Sequence, residues 1–163
     1  MKTLIVYSSQ TGNTKKMAEA LNDAISGENT LCPVGEAPDP SGFDLLAVGF
    51  WLMGGKPDPK SADYLAKVGD ANLFLFATHG ADANSDHAAN AMKHAASLAA
   101  SATIAGTFSC QGEVNPTFLE KAQKKDPPPP WIGDAPAAEG HPDGHDTQRL
   151  NDALNAALSK IMI

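Results

Sequence analysis

Short apolar runs alternate along this chain with amphipathic helical stretches, and that alternation is the pattern of strands returning through helices in βαβ units. Strands are expected near Thr3 to Tyr7, Thr30 to Val34, Leu45 to Phe50, Asn72 to Thr78 and Thr103 to Ser109. After the first, Met17, Ala20, Leu21, Ala24 and Ile25 recur at helix spacing, and the segment stops at Gly27. Further helices are read at Ser61 to Val68 and at Asp86 to Ala99. A last apolar stripe of Leu150, Ala153, Leu154, Ala157, Leu158 and Ile161 follows an Asp146-Thr147 cap. Right-handed crossovers then give an α/β three-layer sandwich, a doubly wound five-stranded parallel sheet of order 2-1-3-4-5. The 163 residues suit a single domain, 1–163, with a Pro-rich loop at about 126–144 before the last helix.

Composition narrows the function classes. With 42% hydrophobic and 19% charged residues the chain is expected to fold as a globule rather than stay disordered. A net charge of -7 and a single arginine, Arg149, leave little with which to track phosphates, so no nucleic acid partner is expected. No apolar run approaches a membrane span or a signal-peptide core, which predicts a cytoplasmic protein with no membrane contact. Cys32 and Cys110 stand far apart without metal-ligand spacing, so neither a zinc site nor a disulfide is expected.

Ligands in doubly wound sheets sit beyond the carboxyl ends of the strands, where the strand order reverses. The loops after Tyr7, Gly49 and Ala77 are therefore the places to look. The first reads Ser8-Ser9-Gln10-Thr11-Gly12-Asn13-Thr14. Four hydroxyls, two amides and a turning glycine at a helix N-terminus can surround a phosphate without an arginine. The plain alternative is a polar turn capped by Asn13 or Thr14.

Tyr7-Ser8-Ser9-Gln10-Thr11-Gly12-Asn13-Thr14 resembles the phosphate loop that holds flavin mononucleotide (FMN) in flavodoxins, and the chain resembles a short-chain flavodoxin from end to end. Phe50-Trp51-Leu52-Met53, Thr78-His79-Gly80-Ala81 and Ser109-Cys110-Gln111-Gly112 resemble a subgroup of anaerobic bacterial flavodoxins, including ones associated with bilirubin reductase. The resemblance implies the flavodoxin-like fold and one noncovalent FMN held by these four segments. It implies a low-potential electron carrier, a monomer with no catalytic residue of its own. Single electrons would pass between soluble redox proteins, a reductase donor and an oxidoreductase acceptor, with a bilirubin reductase among the implied partners. The alternative is a flavin-dependent NAD(P)H quinone or nitro-compound reductase.

Trp51, at the end of the third strand, is read as stacking on the flavin ring, against the alternative of packing its loop onto the sheet. Gly54 follows, and the Met53-Gly54 peptide is the candidate acceptor for N5-H of the reduced ring. The third loop has no tyrosine for the second face of the ring. His79 is read either as lying near the ring or as an ordinary loop histidine, and Cys110 as a packed small residue. Trp131 is treated as remote from the flavin. His87 and His94 are read as surface residues, and His141 and His145 as unaligned, so no metal is expected. Asp58, Asp63, Asp82, Asp86 and Glu113 come near one sheet edge, where they either steer a basic partner or are merely solvated.

Overall fold

The computed structural model describes residues 1–162. β1 (Lys2–Tyr7) lies between β2 (Glu28–Pro33) and β3 (Leu45–Met53), and β5 (Asn72–His79) and β6 (Thr103–Gln111) continue outward from β3. All four pairings in the order β2-β1-β3-β5-β6 are parallel. Leaving aside β4 (Lys56–Pro57), which only folds back on the end of β3, this is the expected order 2-1-3-4-5.

The central strands β1, β3 and β5 are buried on both faces, which explains why they read as apolar runs, whereas the edge strands β2 and β6 are only partly buried. Ile5, Phe74 and Phe76 pack against Met17 and Leu21 of α1 (Asn13–Ala24) and Leu150 and Leu154 of α5 (Gly144–Ile161). Leu4, Val6, Val48, Phe50 and Leu75 pack on the other side against Leu65 of α2 (Pro59–Lys67) and Met92 and Ala95 of α3 (Asp86–Leu98). Among the described residues no helix is long and apolar enough to cross a membrane.

Three local expectations are corrected. Asp143, not Asp146-Thr147, caps α5: its side chain accepts from Asp146 N–H, and Asp146 at N3 accepts from Asp143 N–H, a complete capping box. A short helix not anticipated, α4 (Pro116–Gln123), starts where Asn115 accepts from Thr117 and Phe118 N–H. The stretch around 126–144 is also not one extended loop, since Ile132–Ala138 forms a 3₁₀ helix despite Pro136.

Candidate cofactor-binding site

The β1–α1 loop begins with Ser8, whose side chain continues the Leu4–Val6 face of β1 towards α2 and donates to Asp58 Oδ2 at 2.8 Å. Asp58 in turn caps α2 through Ser61 N–H and Ser61 Oγ. Ser8 is thus a structural anchor turned away from the loop's open side. Buried Asp58 has no part in an acidic docking rim either. Ser9 Oγ accepts from Gly12 N–H at 3.1 Å, and Thr14 Oγ1 lies 2.9 Å from Thr78 Oγ1. Asn13 Nδ2 donates to the Glu113 carbonyl. Only Gln10 and Thr11 hold exposed, uncommitted side chains.

α1 differs from its neighbours at the N-terminus. Asp58, Ser85, Asn115 and Asp143 each cap their own helix through a side chain, but the α1 cap is Gly12, at φ 98°, with no side chain to offer. The first-turn N–H groups of α1 thus remain available to an anion, aided by the helix dipole.

Beyond the loop opens a cavity of about 660 Å³. One wall is the end of β3. Past buried Phe50 the strand continues through Trp51, Leu52 and Met53, reverses at Gly54-Gly55, and returns along β4. Both glycines have positive φ, 60° and 75°, as a two-residue type I′ hairpin turn requires. His87 packs on this turn, 3.1 Å from where a Gly55 Cβ would stand, and lines the cavity. It is therefore part of the site and not the ordinary surface residue expected.

Thr78, His79, Gly80 and Ala81 form the floor. The His79 ring is buried, its Nδ1 is 2.9 Å from the Ala81 carbonyl, and desolvation pulls its pKa down to about 4. The opposite wall was not anticipated. Trp131, read from the sequence as remote, lines the cavity beside Phe118, Pro129 and Pro130, with its indole stacked on Phe118 at 5.8 Å and 9°. Gly80 permits this approach, because a Cβ there would lie 2.8 Å from Val114 Cγ2 and 3.3 Å from Trp131 Cε3.

The end of β6 supports the site more than it lines it. Gly112 lines the cavity, and a Cβ there would meet Asn13 Nδ2 at 2.6 Å. Gln111 lies behind the wall as a latch, its Nε2 donating to the Gly80 and Asp134 carbonyls, while Asp82 N–H donates to Asp134 Oδ2. Ser109 and Cys110 stay in the strand away from the cavity. Cys110 is fully buried, and burial pushes its thiol up to about 12, so it is a packing residue. His141, Asp143 and Asp146 bring three potential metal-ligand atoms within 4.8 Å of one another. The α5 capping box and a 2.6 Å His141 Nδ1 to Asp146 contact already employ these groups.

The arrangement combines anion-binding amides, two aromatic walls and a polar floor, which can hold a flat ring joined to a phosphate. Comparison with known proteins agrees with this geometry. The flavodoxin domain model matches residues 4–155. The flavodoxin-like domain-containing protein BilS of Clostridioides difficile is 33% identical over 119 residues, covering 70% of this chain and 68% of that protein. BilS of Clostridium symbiosum is 30% identical, with 97% and 96% covered. Oxidised flavodoxin 1 from Bacillus cereus superposes with a TM-score of 0.64 at 11% identity, covering 98% of both chains. A Lactobacillus acidophilus flavoprotein in complex with FMN gives 0.54 at 21% identity, covering 76% of this chain and 99% of that one. The extent of the domain match, the BilS relatives and the shared strand order lead to one conclusion: this chain belongs to the flavodoxin domain family.

Proposed function

We propose that the protein is an electron carrier that binds one FMN noncovalently and passes single electrons between soluble redox proteins. The observation that carries the reading is the α1 N-terminus, uncapped by any side chain at the edge of an aromatic-walled cavity. There the loop amides, Gln10 and Thr11 hold the phosphate, while Trp51 and the Trp131 wall enclose the ring. When bound, FMN supplies the redox chemistry. The protein's own groups orient the ring, exclude water from its inner edge and set its electrostatic surroundings. A net charge of -7 around a partly dry site disfavours added negative charge on the ring and keeps the potential low. Exposed Asp63, Asp82, Asp86 and Glu113 steer a basic partner towards the cavity mouth.

Fluorescence titration tests the reading. FMN should bind far more tightly than riboflavin, which lacks the phosphate, and Thr11→Ala should weaken FMN alone. Equal affinities for the two ligands would refute the phosphate assignment. Steady oxidation of NAD(P)H without a partner protein would favour the reductase alternative. The finer proposal, a bilirubin reductase among the electron acceptors, rests on the resemblance of Phe50–Met53, Thr78–Ala81 and Ser109–Gly112, and co-purification with such an enzyme would test it.

A further inference from the structure

The start of α1 carries a conflict that the other helices do not. Its first-turn N–H groups stay open because Gly12 offers no side chain, and a helix start without a side-chain cap frays more readily than a capped one. A turn that presents its amides to an anion has to be held from outside the helix.

Hydrogen bonds to other elements do this. Thr14 Oγ1 lies 2.9 Å from Thr78 Oγ1 of β5. Asn13 Nδ2 donates to the Glu113 carbonyl at 3.0 Å, an approach that Gly112 permits, and Lys16 Nζ donates to the Pro142 carbonyl. The last two bonds lead to one place, the stretch from Gly140 to Asp143 that enters α5. Glu113 N–H donates to the His141 carbonyl at 2.8 Å, and Gly140 N–H donates to Glu113 Oε2 at 3.4 Å. This strap therefore ties the start of α1 both directly, through Lys16, and by way of Glu113 and Asn13.

The strap has its own anchor. Asp146 is 3% exposed, and its Oδ2 accepts from Asp143 N–H at 2.8 Å and lies 2.6 Å from His141 Nδ1. A carboxylate oxygen only accepts, so Nδ1 donates here whether the ring is neutral or charged. Hydrogen bonds to a carboxylate are the strong ones, and this one fixes the ring, and with it the His141 backbone, on a buried side chain. His141 does not line the cavity, and the Trp131 wall is latched separately by Gln111, so the strap bears on the phosphate end of the site. Resting on the FMN reading above, we infer that His141 is a positioning residue for the phosphate: anchored on Asp146, it acts through Glu113 and Asn13 to hold the uncapped first turn of α1 where the phosphate is received.

FMN and riboflavin share the ring and differ in the phosphate, so the ratio of their affinities isolates this effect. His141→Ala, checked for folding by circular dichroism, should weaken FMN about tenfold and leave riboflavin nearly unchanged. His141→Asn, whose Nδ2 can donate where Nδ1 does, should restore most of the loss. Asn13→Ala should shrink the ratio too, and adding His141→Ala to it should cost little more, because the two residues act along one chain. Equal losses for both ligands, or fully additive losses in the double variant, would overturn the inference, reduce His141 to a support of the α5 cap and leave the FMN reading intact. Should His141→Ala fail to fold, linkage supplies a readout in the wild-type protein, since a strap that favours phosphate binding must itself be favoured by bound phosphate. Hydrogen exchange of the Glu113 amide, which is bonded to His141, should slow at saturating FMN and not at saturating riboflavin. The same protection by both ligands would overturn the inference. Equal wild-type affinities for FMN and riboflavin would remove the phosphate assignment and this inference with it.

Discussion

The two walls of the cavity are built in different ways. The Trp51 wall is local: β3 overruns the sheet, turns at Gly54-Gly55 and pairs with itself through Leu52–Pro57 and Met53–Lys56. The Trp131 wall is assembled from a distance, its Phe118 and Trp131 coming from α4 and the Pro-rich segment and held by Gln111 and Asp134. The hairpin's shape thus follows from its own residues, whereas the second wall keeps its place only while the contacts over Gly80 hold. A flat ligand between them would meet one preformed face and one that depends on tertiary order.

The largest expected effect concerns the floor that joins the walls. In the unfolded chain His79 titrates near 6.5, and in the fold near 4, so acidification favours the unfolded state, which binds the proton first. The contribution is fully present above about pH 6.5 and is lost progressively as the pH falls towards 4, by on the order of 3 kcal/mol. Urea midpoints of the flavin-free protein at pH 7, 5.5 and 4.5 should fall accordingly, and His79→Gln should flatten that slope. Because Gly80 underlies Trp131, fluorescence of a Trp51→Phe variant should report the loss at a higher pH than that of Trp131→Phe. Coincident transitions would mean that the two walls do not differ in robustness.

Next in size is the contribution of each wall to binding. Stacking on an aromatic ring contributes about 1–3 kcal/mol, and both Trp51→Ala and Trp131→Ala should weaken FMN by about that much. Both should also relieve quenching of the bound flavin. A silent Trp131→Ala would leave the second wall as a loop that merely packs on α4.

That contrast also explains what could be read in the sequence. β1, α1, β3, β5 and α5 announce themselves because a buried strand needs an apolar run and a covering helix needs a stripe. The hairpin was legible in principle, since two adjacent glycines at the end of an apolar run are a turn signal, as was α4 from Asn115-Pro116, a cap residue before an N1 proline. Trp131 was not legible. Nothing near position 131 encodes its position over Gly80, and only the fold brings the two together. The same holds for Ser8 and His87. Ser8 belongs to a hydroxyl-rich loop by sequence but to α2 by its bond with Asp58, and His87 joins the site only because α3 starts beside the β3–β4 turn.

Gly80→Ala isolates the distant wall. Its Cβ would collide with Val114 and crowd Trp131, and shifting them should cost about 1–3 kcal/mol. FMN affinity should fall with little change in the Trp51 environment. Unaltered affinity would show that the wall tolerates displacement.

The smallest effects belong to the hairpin. Ala at a left-handed position costs about 1 kcal/mol. At Gly54 a Cβ would meet nothing within 4 Å, so that cost should be the whole of it, whereas at Gly55 the His87 ring 3.1 Å away adds a contact. Thermal melts should therefore rank Gly55→Ala below Gly54→Ala, and adding His87→Ala should erase the difference; persistence of the gap would exclude the contact as its cause. The redox consequence runs the other way. If the Met53-Gly54 peptide reorients to accept from N5-H of the reduced ring, Gly54→Ala should lower the first-electron potential while the second moves much less. A first potential unchanged in Gly54→Ala, alongside a measurable loss of stability, would assign the glycine to the turn alone.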